Sequence, residues 1–242
     1  MTAAATQVPA LTLAGLGFTY GATAVLSNLD LEVYSGEVVA CVGPSGCGKS
    51  TLLALLGGHL RPTRGTVTPT GASRTIYQDG GLYPWLTVAA NVALGVPRAV
   101  DDRARAARVA DWLARSGLAD FADHYPHQLS GGMRQRVELG RALVADTAVL
   151  LLDEPFSALD YQTRLSMRRE LAATLAERPR TVVLVTHDIE EAVQLADRIV
   201  VLSARPATVR RVLTLPPGRP RAPNAPGVAD AEQTILEELG LS

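Results

Sequence analysis

Lysine is nearly absent from this chain. Of its 23 basic residues, only Lys49 is a lysine and the other 22 are arginines. A sequence that uses arginine everywhere else keeps a compact ammonium at one place, where a planar guanidinium would fit poorly. Cysteine is almost as scarce. Cys41 and Cys47 are too few for a disulfide framework or a cysteine-held metal. No apolar run approaches the roughly 18 residues of a membrane span. A charge excess is missing too: 23 basic against 24 acidic residues leave a net charge of −1. That gives no overall basic surface, and no nucleic-acid partner is expected. Residues Met1 to Ala10 have neither the basic start nor the apolar core of a secretory signal, so the expected location is the cytoplasm. What is present is apolar content of 47% over 242 residues, enough for one large domain or one domain with an insertion.

The lone lysine stands in Gly43-Pro-Ser-Gly-Cys-Gly-Lys-Ser-Thr51. An apolar run, Val38 to Val42, precedes it and reads as a buried strand. Leu52 to Leu56 follows and reads as a helix ended by Gly57 and Gly58. Strand, glycine-rich loop, Gly-Lys-Ser and helix form a phosphate-binding loop in its required context. Gly43, Gly46 and Gly48 let the backbone curl so that N–H groups converge on an anion. The helix N-terminus adds about half a positive charge there. Lys49 would reach the β- and γ-phosphates, and the Ser50 hydroxyl would ligate magnesium. Cys47, beside Lys49, sits where a thiolate is favoured, so alkylation is expected to block nucleotide binding.

Residues 11 to 35 read as two strands joined by a turn at Gly21. Tyr20 beside that turn is either a surface aromatic or a stacking partner for a base. Thr66 to Ile76 suggests a strand pair bent at Pro69 and Gly71. Gln78 then opens a loop in which Tyr83, Pro84 and Trp85 form either a small local core or a docking surface. Residues 86 to 145 are mostly helical, with Asp101 or Asp102 capping a helix to about Arg115. Ser130-Gly-Gly132 begins another helix. It is either a simple cap or a second anion site built from a hydroxyl and two glycine amides. Arg134, Gln135, Arg136 and Arg141 read as a solvated face.

Val149 to Leu152 is a continuous apolar strand of the kind covered on both faces in a parallel sheet, and it ends in Asp153-Glu154. Two carboxylates there are costly unless they meet a metal or a proton-transfer task. Asp153 is the candidate magnesium ligand and Glu154 the candidate base for an attacking water. Ser157 to Asp160 is a turn, a helix follows from about Thr163 to Glu177, and Thr181 to Thr186 is another buried strand. His187 at its end is a candidate γ-phosphate contact. Ile189 to Ala196 reads as a helix and Ile199 to Leu202 as a last apolar strand. From Arg198 to Ala229 arginines and prolines occur with no acidic residue, which predicts an extended, exposed segment before a short amphipathic helix from Asp230 to Leu241.

Tyr20, the 43–51 loop, Gln78, Leu129-Ser-Gly-Gly-Met133, Leu150 to Glu154, Ser157-Ala-Leu-Asp160 and His187 fall in the order of the ATP-binding-cassette (ABC) ATPases, which the chain resembles from about 11 to 215. Within that family it resembles the ATPase subunits of bacterial importers for nitrate, sulfonates and taurine. Gln78-Asp-Gly-Gly-Leu-Tyr-Pro-Trp-Leu-Thr-Val88, Asn91-Val-Ala-Leu-Gly95, His187-Asp-Ile-Glu-Glu-Ala192 and Leu202-Ser-Ala-Arg-Pro206 carry that likeness.

The resemblance implies an α/β fold: a RecA-like P-loop NTPase core with an antiparallel β arm, a helical subdomain inserted at about 85–146, and a short tail over 216–242. It implies ATP and Mg2+ as ligands, ATP held by Tyr20 and Gly43, Pro44, Ser45, Gly46, Cys47, Gly48, Lys49, Ser50 and Thr51, and magnesium held by Ser50, Gln78 and Asp153. Glu154 would be the general base, assisted by Lys49, Gln78 and His187. Two copies would form a dimer in which Ser130, Gly131 and Gly132 of one face the ATP of the other, with Asp160 communicating between them. A membrane permease would dock near Tyr83, Pro84 and Trp85, placing the protein on the inner face of the membrane, and a substrate-binding protein would complete the assembly. The stretch between Lys49 and Gln78 is several residues shorter than that family's, and the C-terminal extension is too short for a regulatory domain. An exporter ATPase, a soluble ABC ATPase acting on nucleic acid or ribosomes, and a non-hydrolysing nucleotide switch are the alternative readings.

Overall fold

The computed structural model describes residues 8–77 and 81–241. Its chain divides into two compact units. The first holds the residues up to Arg74, Ala148–Asp153 and everything from Pro179; the second holds Thr75–Thr147 and Glu154–Arg178.

The first unit opens with β1 (Pro9–Tyr20) and β2 (Thr23–Tyr34), an antiparallel pair in which Phe18 faces Leu26 and Tyr20 faces Thr23. Gly21 makes the turn with φ +56°, a conformation open to glycine without a Cβ penalty. β3 (Val38–Val42) is buried at every position, and α1 (Lys49–Leu56) follows the glycine-rich loop. β4 (Arg64–Pro69) pairs antiparallel with β1, completing a three-stranded arm in the order β2-β1-β4. β5 (Ser73–Ile76) leaves that arm and joins the second sheet. The strand pair expected over 66–76 is therefore not a pair: each half hydrogen-bonds in a different sheet.

The second sheet runs β5-β6-β7-β3-β8-β9, with β6 (Val149–Asp153), β7 (Thr181–Thr186), β8 (Arg198–Leu202) and β9 (Val209–Thr214). β6, β7, β3 and β8 pair in parallel, and β9 closes the edge antiparallel to β8. The central strands are near-continuous apolar runs because both of their faces are covered. A core that includes Leu11, Leu16, Val39, Leu53, Leu151 and Val185 joins the arm, α1 and this sheet.

The second unit contributes α2 (Val88–Ala93), α3 (Asp102–Arg115), α4 (Gly131–Leu143) and α5 (Tyr161–Glu177). Thr87, Asp101, Ser130 and Asp160 cap these four helices through their side-chain oxygens. This unit begins before the expected insert and also takes in α5. Trp112 on α3 lies against Gly140 on α4 and donates its indole N–H to the Arg136 carbonyl at 3.2 Å.

One expectation is corrected in part. Of the polar group on α4, expected as a solvated face, only Arg134 is exposed. Gln135 is buried, Arg134 donates to the Leu129 carbonyl, Arg136 to that of Ser116, and Arg141 to that of Gly81. Loop carbonyls packed against the helix need donors, and the arginine stems cover the apolar surface between them. The segment after Arg198 opens with an apolar strand, β8, continues in the mostly exposed β9 and stays largely exposed as far as Ala229, but its Arg221 is buried. That guanidinium donates to the carbonyls of Val193 (3.2 Å), Ala196 (2.6 Å) and Pro216 (2.9 Å), two of them at the C-terminal end of α6 (Ile189–Leu195). Burial holds the guanidinium below its usual pKa. The chain ends in α7 (Val228–Leu239), packed on α6, β8 and β9 in the first unit.

Candidate functional site

In the first unit, the loop after β3 is shaped by what its glycines exclude. A Cβ on Gly43 would lie 3.0 Å from Cys47 Sγ and 3.1 Å from Leu202 Cβ. Gly46 has φ +75° and Gly48 φ +122°, and a Cβ on Gly48 would stand 2.7 Å from Val25 Cγ1. Both positions therefore demand glycine, one by conformation and the other by conformation and space. The Cys47 N–H donates to the Pro44 carbonyl at 3.2 Å. The Lys49 ammonium, only 8% exposed, turns back along the loop and donates to the carbonyls of Gly43 (2.8 Å) and Pro44 (3.2 Å). No side chain caps the N-terminus of α1, and no acidic residue stands in its first turn. Its opening N–H groups, the Lys49 ammonium and the exposed Ser50 stand together as donors of the kind that an anion would take.

The same unit carries Tyr20, Asp153 and His187. Tyr20 is 54% exposed at the end of β1 and meets Phe18 edge-on, with centroids 4.7 Å apart. Asp153 ends β6 and is buried. His187 is exposed just beyond β7. The residues around it are braced: Asp188 N–H donates to Thr186 Oγ1 (3.0 Å), Thr186 Oγ1 to Glu191 Oε2 (3.1 Å), and Asp188 caps α6. Nothing in the local pattern marks Thr186 and Glu191 for that role.

Cys41 is buried, and burial pushes its thiol up to about 12. Cys47 is buried as well. Alkylation of Cys47 is therefore expected to be slow in the folded protein.

The second unit carries Ser130, Gly131, Gly132, Glu154 and Asp160. Ser130 Oγ accepts from Met133 N–H at 3.2 Å. A Cβ on Gly132 would come within 3.1 Å of Leu159 Cδ2 and 3.3 Å of the Ala158 carbonyl, so the turn that ends in Asp160 packs directly beneath the start of α4. Glu154 is buried and holds φ +50°, a left-handed conformation rare outside glycine and asparagine. Its carbonyl accepts from Gln135 Nε2 (2.9 Å) and Ser157 Oγ (3.0 Å), while Gln135 Oε1 accepts from Ala158 N–H (3.1 Å). Gln135 thus ties the Glu154 turn to α4; from sequence it was read only as part of a polar face. Asp160 accepts from Thr163 N–H at 3.0 Å, and hydrogen bonds from Thr163 hold its carboxyl below the ordinary range.

Tyr83 and Trp85 are exposed, with ring centroids 5.3 Å apart. Beneath them Asn91 is fully buried. Its Oδ1 accepts from Tyr83 N–H (2.8 Å), and its Nδ2 faces the carbonyls of Tyr83 (3.1 Å), Leu86 (3.0 Å) and Thr87 (3.0 Å). Gln78 lies outside the described residues. Among the described residues no group of three or more His, Cys, Asp or Glu is placed to hold a metal. None of the described helices is long and apolar enough to cross a membrane.

The family described as ABC transporter matches residues 26–157. The chain belongs to that family. This ABC chain is 44% identical over 241 residues to the aliphatic sulfonates import ATP-binding protein SsuB 1 of Rhodococcus jostii, covering 97% of the present chain and 95% of that protein. It is 45% identical to the SsuB 1 protein of Mesorhizobium japonicum, over 93% of this chain and 86% of that one. Among solved structures, a dimeric bacterial ABC transporter cassette matches with TM-score 0.77 and 33% identity, covering 86% of this chain and all of that one. A post-hydrolysis dimer with ADP and phosphate matches with TM-score 0.76 and 31% identity, at the same coverage. The fold is thus the P-loop NTPase fold of an ABC-type ATPase, as the motif order implied.

Proposed function

We propose that this chain is the ATP-hydrolysing subunit of an ABC importer for aliphatic sulfonates, paired as a dimer on the inner face of a membrane and driving a separate permease. The observation that carries the reading is likeness across nearly the whole chain to sulfonate import ATP-binding proteins. The loop geometry supports it: a glycine-framed anion site holding the chain's only lysine.

In this reading Tyr20 stacks on adenine, and Gly43, Pro44, Ser45, Gly46, Cys47, Gly48, Lys49, Ser50 and Thr51 hold the phosphates. Lys49 exchanges its loop carbonyls for phosphate oxygens. The Ser50 hydroxyl and Asp153 carboxylate are hard oxygen donors of the kind Mg2+ takes, and Gln78 joins them. Bound magnesium supplies positive charge that stabilises the transferring phosphoryl group. Glu154 takes a proton from the attacking water as the bond to ADP breaks, and His187 donates to the γ-phosphate. Ser130, Gly131 and Gly132 contact the ATP of the partner copy, which makes each site incomplete without a second chain. Asp160 relays closure between the copies. The permease docks on the surface presented by Tyr83, Pro84 and Trp85, and a substrate-binding protein delivers the solute.

Two measurements test this. A detergent pull-down of the tagged protein from its native membranes is expected to bring down a multi-span permease; ribosomal or DNA-repair partners without a membrane protein would overturn the transport reading. Deleting the coding sequence is expected to abolish uptake of labelled ethanesulfonate while leaving sulfate uptake intact. Unchanged ethanesulfonate uptake would remove the substrate assignment.

A further inference from the structure

Six residues from the end of β8, Leu202 to Ala207, brace the phosphate loop at three separate points, two directly and one through the arm. Leu202 packs under the first glycine, where a Cβ on Gly43 would meet Leu202 Cβ at 3.1 Å and the Leu202 carbonyl at 3.2 Å. The Arg205 guanidinium donates to the Gly46 carbonyl in the middle of the loop. Ala207 is fully buried and pairs with the arm strand: its N–H donates to the Val25 carbonyl (2.8 Å), and its own carbonyl accepts from Ser27 N–H (2.9 Å). Val25 in turn fills the space beside Gly48. The segment is itself closed, because Ser203 N–H donates to the Thr208 carbonyl (3.0 Å) and Thr208 N–H to Ser203 Oγ (2.9 Å). Arg205 therefore projects from a fixed turn.

We propose that Arg205 is a positioning residue for nucleotide binding: it holds the peptide between Gly46 and Cys47 in the orientation that turns the loop's N–H groups toward the phosphates. Gly46 stands at φ +75°, where a peptide without a side chain on its first residue has several orientations open to it. A charge-assisted hydrogen bond to its carbonyl selects one of them. Donation to that carbonyl also polarises the shared peptide unit, which strengthens the bond from Cys47 N–H to the Pro44 carbonyl that closes the loop. The guanidinium adds a positive charge beside the loop, a long-range attraction for a polyanion that salt screens. The leucine and alanine on either side of Arg205 explain why it reaches this carbonyl at all: one is wedged under Gly43 and the other is stitched to the arm.

The inference rests on the reading of the 43–51 loop as the phosphate site, and the test separates the two. Mg-ATP binding and steady-state hydrolysis are measured on the full chain for wild type, Arg205→Ala, Arg205→Lys and Lys49→Ala, with thermal melts of each. Arg205→Ala is expected to weaken Mg-ATP binding about five- to tenfold, the loss of one exposed hydrogen bond to a charged donor. KM should rise by a similar factor, with kcat at saturating ATP unchanged, because binding is lost equally in ground and transition states. The melting temperature without nucleotide should stay put. Arg205→Lys should recover at least half of the lost affinity, and the gap between Arg205→Ala and wild type should narrow at high salt. Lys49→Ala losing binding while Arg205→Ala binds within twofold of wild type would overturn the Arg205 proposal and leave the phosphate site standing. A matching fall in melting temperature without rescue by lysine would overturn it too, by showing a purely structural role. Normal binding by Lys49→Ala would overturn the phosphate site itself, and the Arg205 proposal with it.

Discussion

Replacing Asn91 by alanine tests the frame beneath the exposed aromatic loop. The side chain is fully buried and engages four backbone groups. Not all four are orphaned by the change. The Tyr83 carbonyl keeps the Leu86 N–H (3.1 Å), and the Thr87 carbonyl keeps the Asn91 N–H (2.8 Å). Tyr83 N–H and the Leu86 carbonyl lose the partner the structure gives them. An unsatisfied buried backbone group costs about 1–3 kcal/mol. Two would cost about 2–6 kcal/mol, but Trp85 is 69% exposed and water can reach the outer part of this loop. The expected local destabilisation is therefore about 2–3 kcal/mol, which is about 30- to 150-fold in an opening equilibrium. The assay is amide hydrogen exchange, followed by mass spectrometry on peptides spanning 82 to 92. Exchange there should accelerate by that factor, with β3 and β7 peptides unchanged. Asn91→Asp should be worse than alanine at neutral pH, since a carboxylate then faces three carbonyl oxygens. Exchange within threefold of wild type for Asn91→Ala would refute the reasoning, because the loop would then be held by something else.

Three further expectations concern other parts of the chain. Glu154→Gln keeps the size of the side chain but cannot take a proton, so ATP should still bind while turnover falls about 10²- to 10⁴-fold; a mutant within threefold of the parent rate would remove Glu154 as base. Gly140→Ala places a methyl group into the Trp112 indole, which is pinned by its bond to the Arg136 carbonyl, and should lower stability by about 1–3 kcal/mol in urea unfolding; a neutral mutant would show that α3 moves away without cost. Glu138 is buried, and burial is the main cause of its raised pKa, partly offset by the Gly81 N–H and by Arg141 and Arg134. A raised carboxylate pKa means the folded state prefers the proton, so the contribution is intact below the unfolded pKa of about 4.3 and is lost as pH rises through the folded value. The stability of Glu138→Gln relative to wild type should then climb between pH 4.5 and 8; a flat difference would contradict the shift.

The parts of the molecule legible in the sequence are those whose signal is local. Val38 to Val42, Val149 to Leu152 and Thr181 to Thr186 are apolar runs because their strands are covered on both faces, and each is a buried strand in the structure. Ser130 announced a helix cap and is one. The glycine-rich loop was readable because its conformation demands glycine at fixed intervals. What escaped were polar residues whose meaning depends on a distant carbonyl. Gln135, Arg205 and Arg221 each answer a backbone group at least 19 residues away in the chain, and nothing in their own neighbourhood tells a solvated side chain from a buried donor. β5 failed for a related reason: Ser73-Arg-Thr-Ile76 has strand character, but which sheet it joins is decided by the strand waiting beside it.

Arg221 has a consequence in time as well as in space. It supplies donors to the last carbonyls of α6, the helix that follows His187, and it reaches them from 25 residues downstream of Ala196. Translation proceeds from the N-terminus at about 5–20 residues per second, so those carbonyls emerge roughly 1–5 s before the guanidinium that closes them. For that interval the C-terminal end of α6 lacks the donors that Arg221 gives it in the folded protein. The arginine- and proline-rich stretch that separates the two thus sets the order in which the halves of this contact become available to each other.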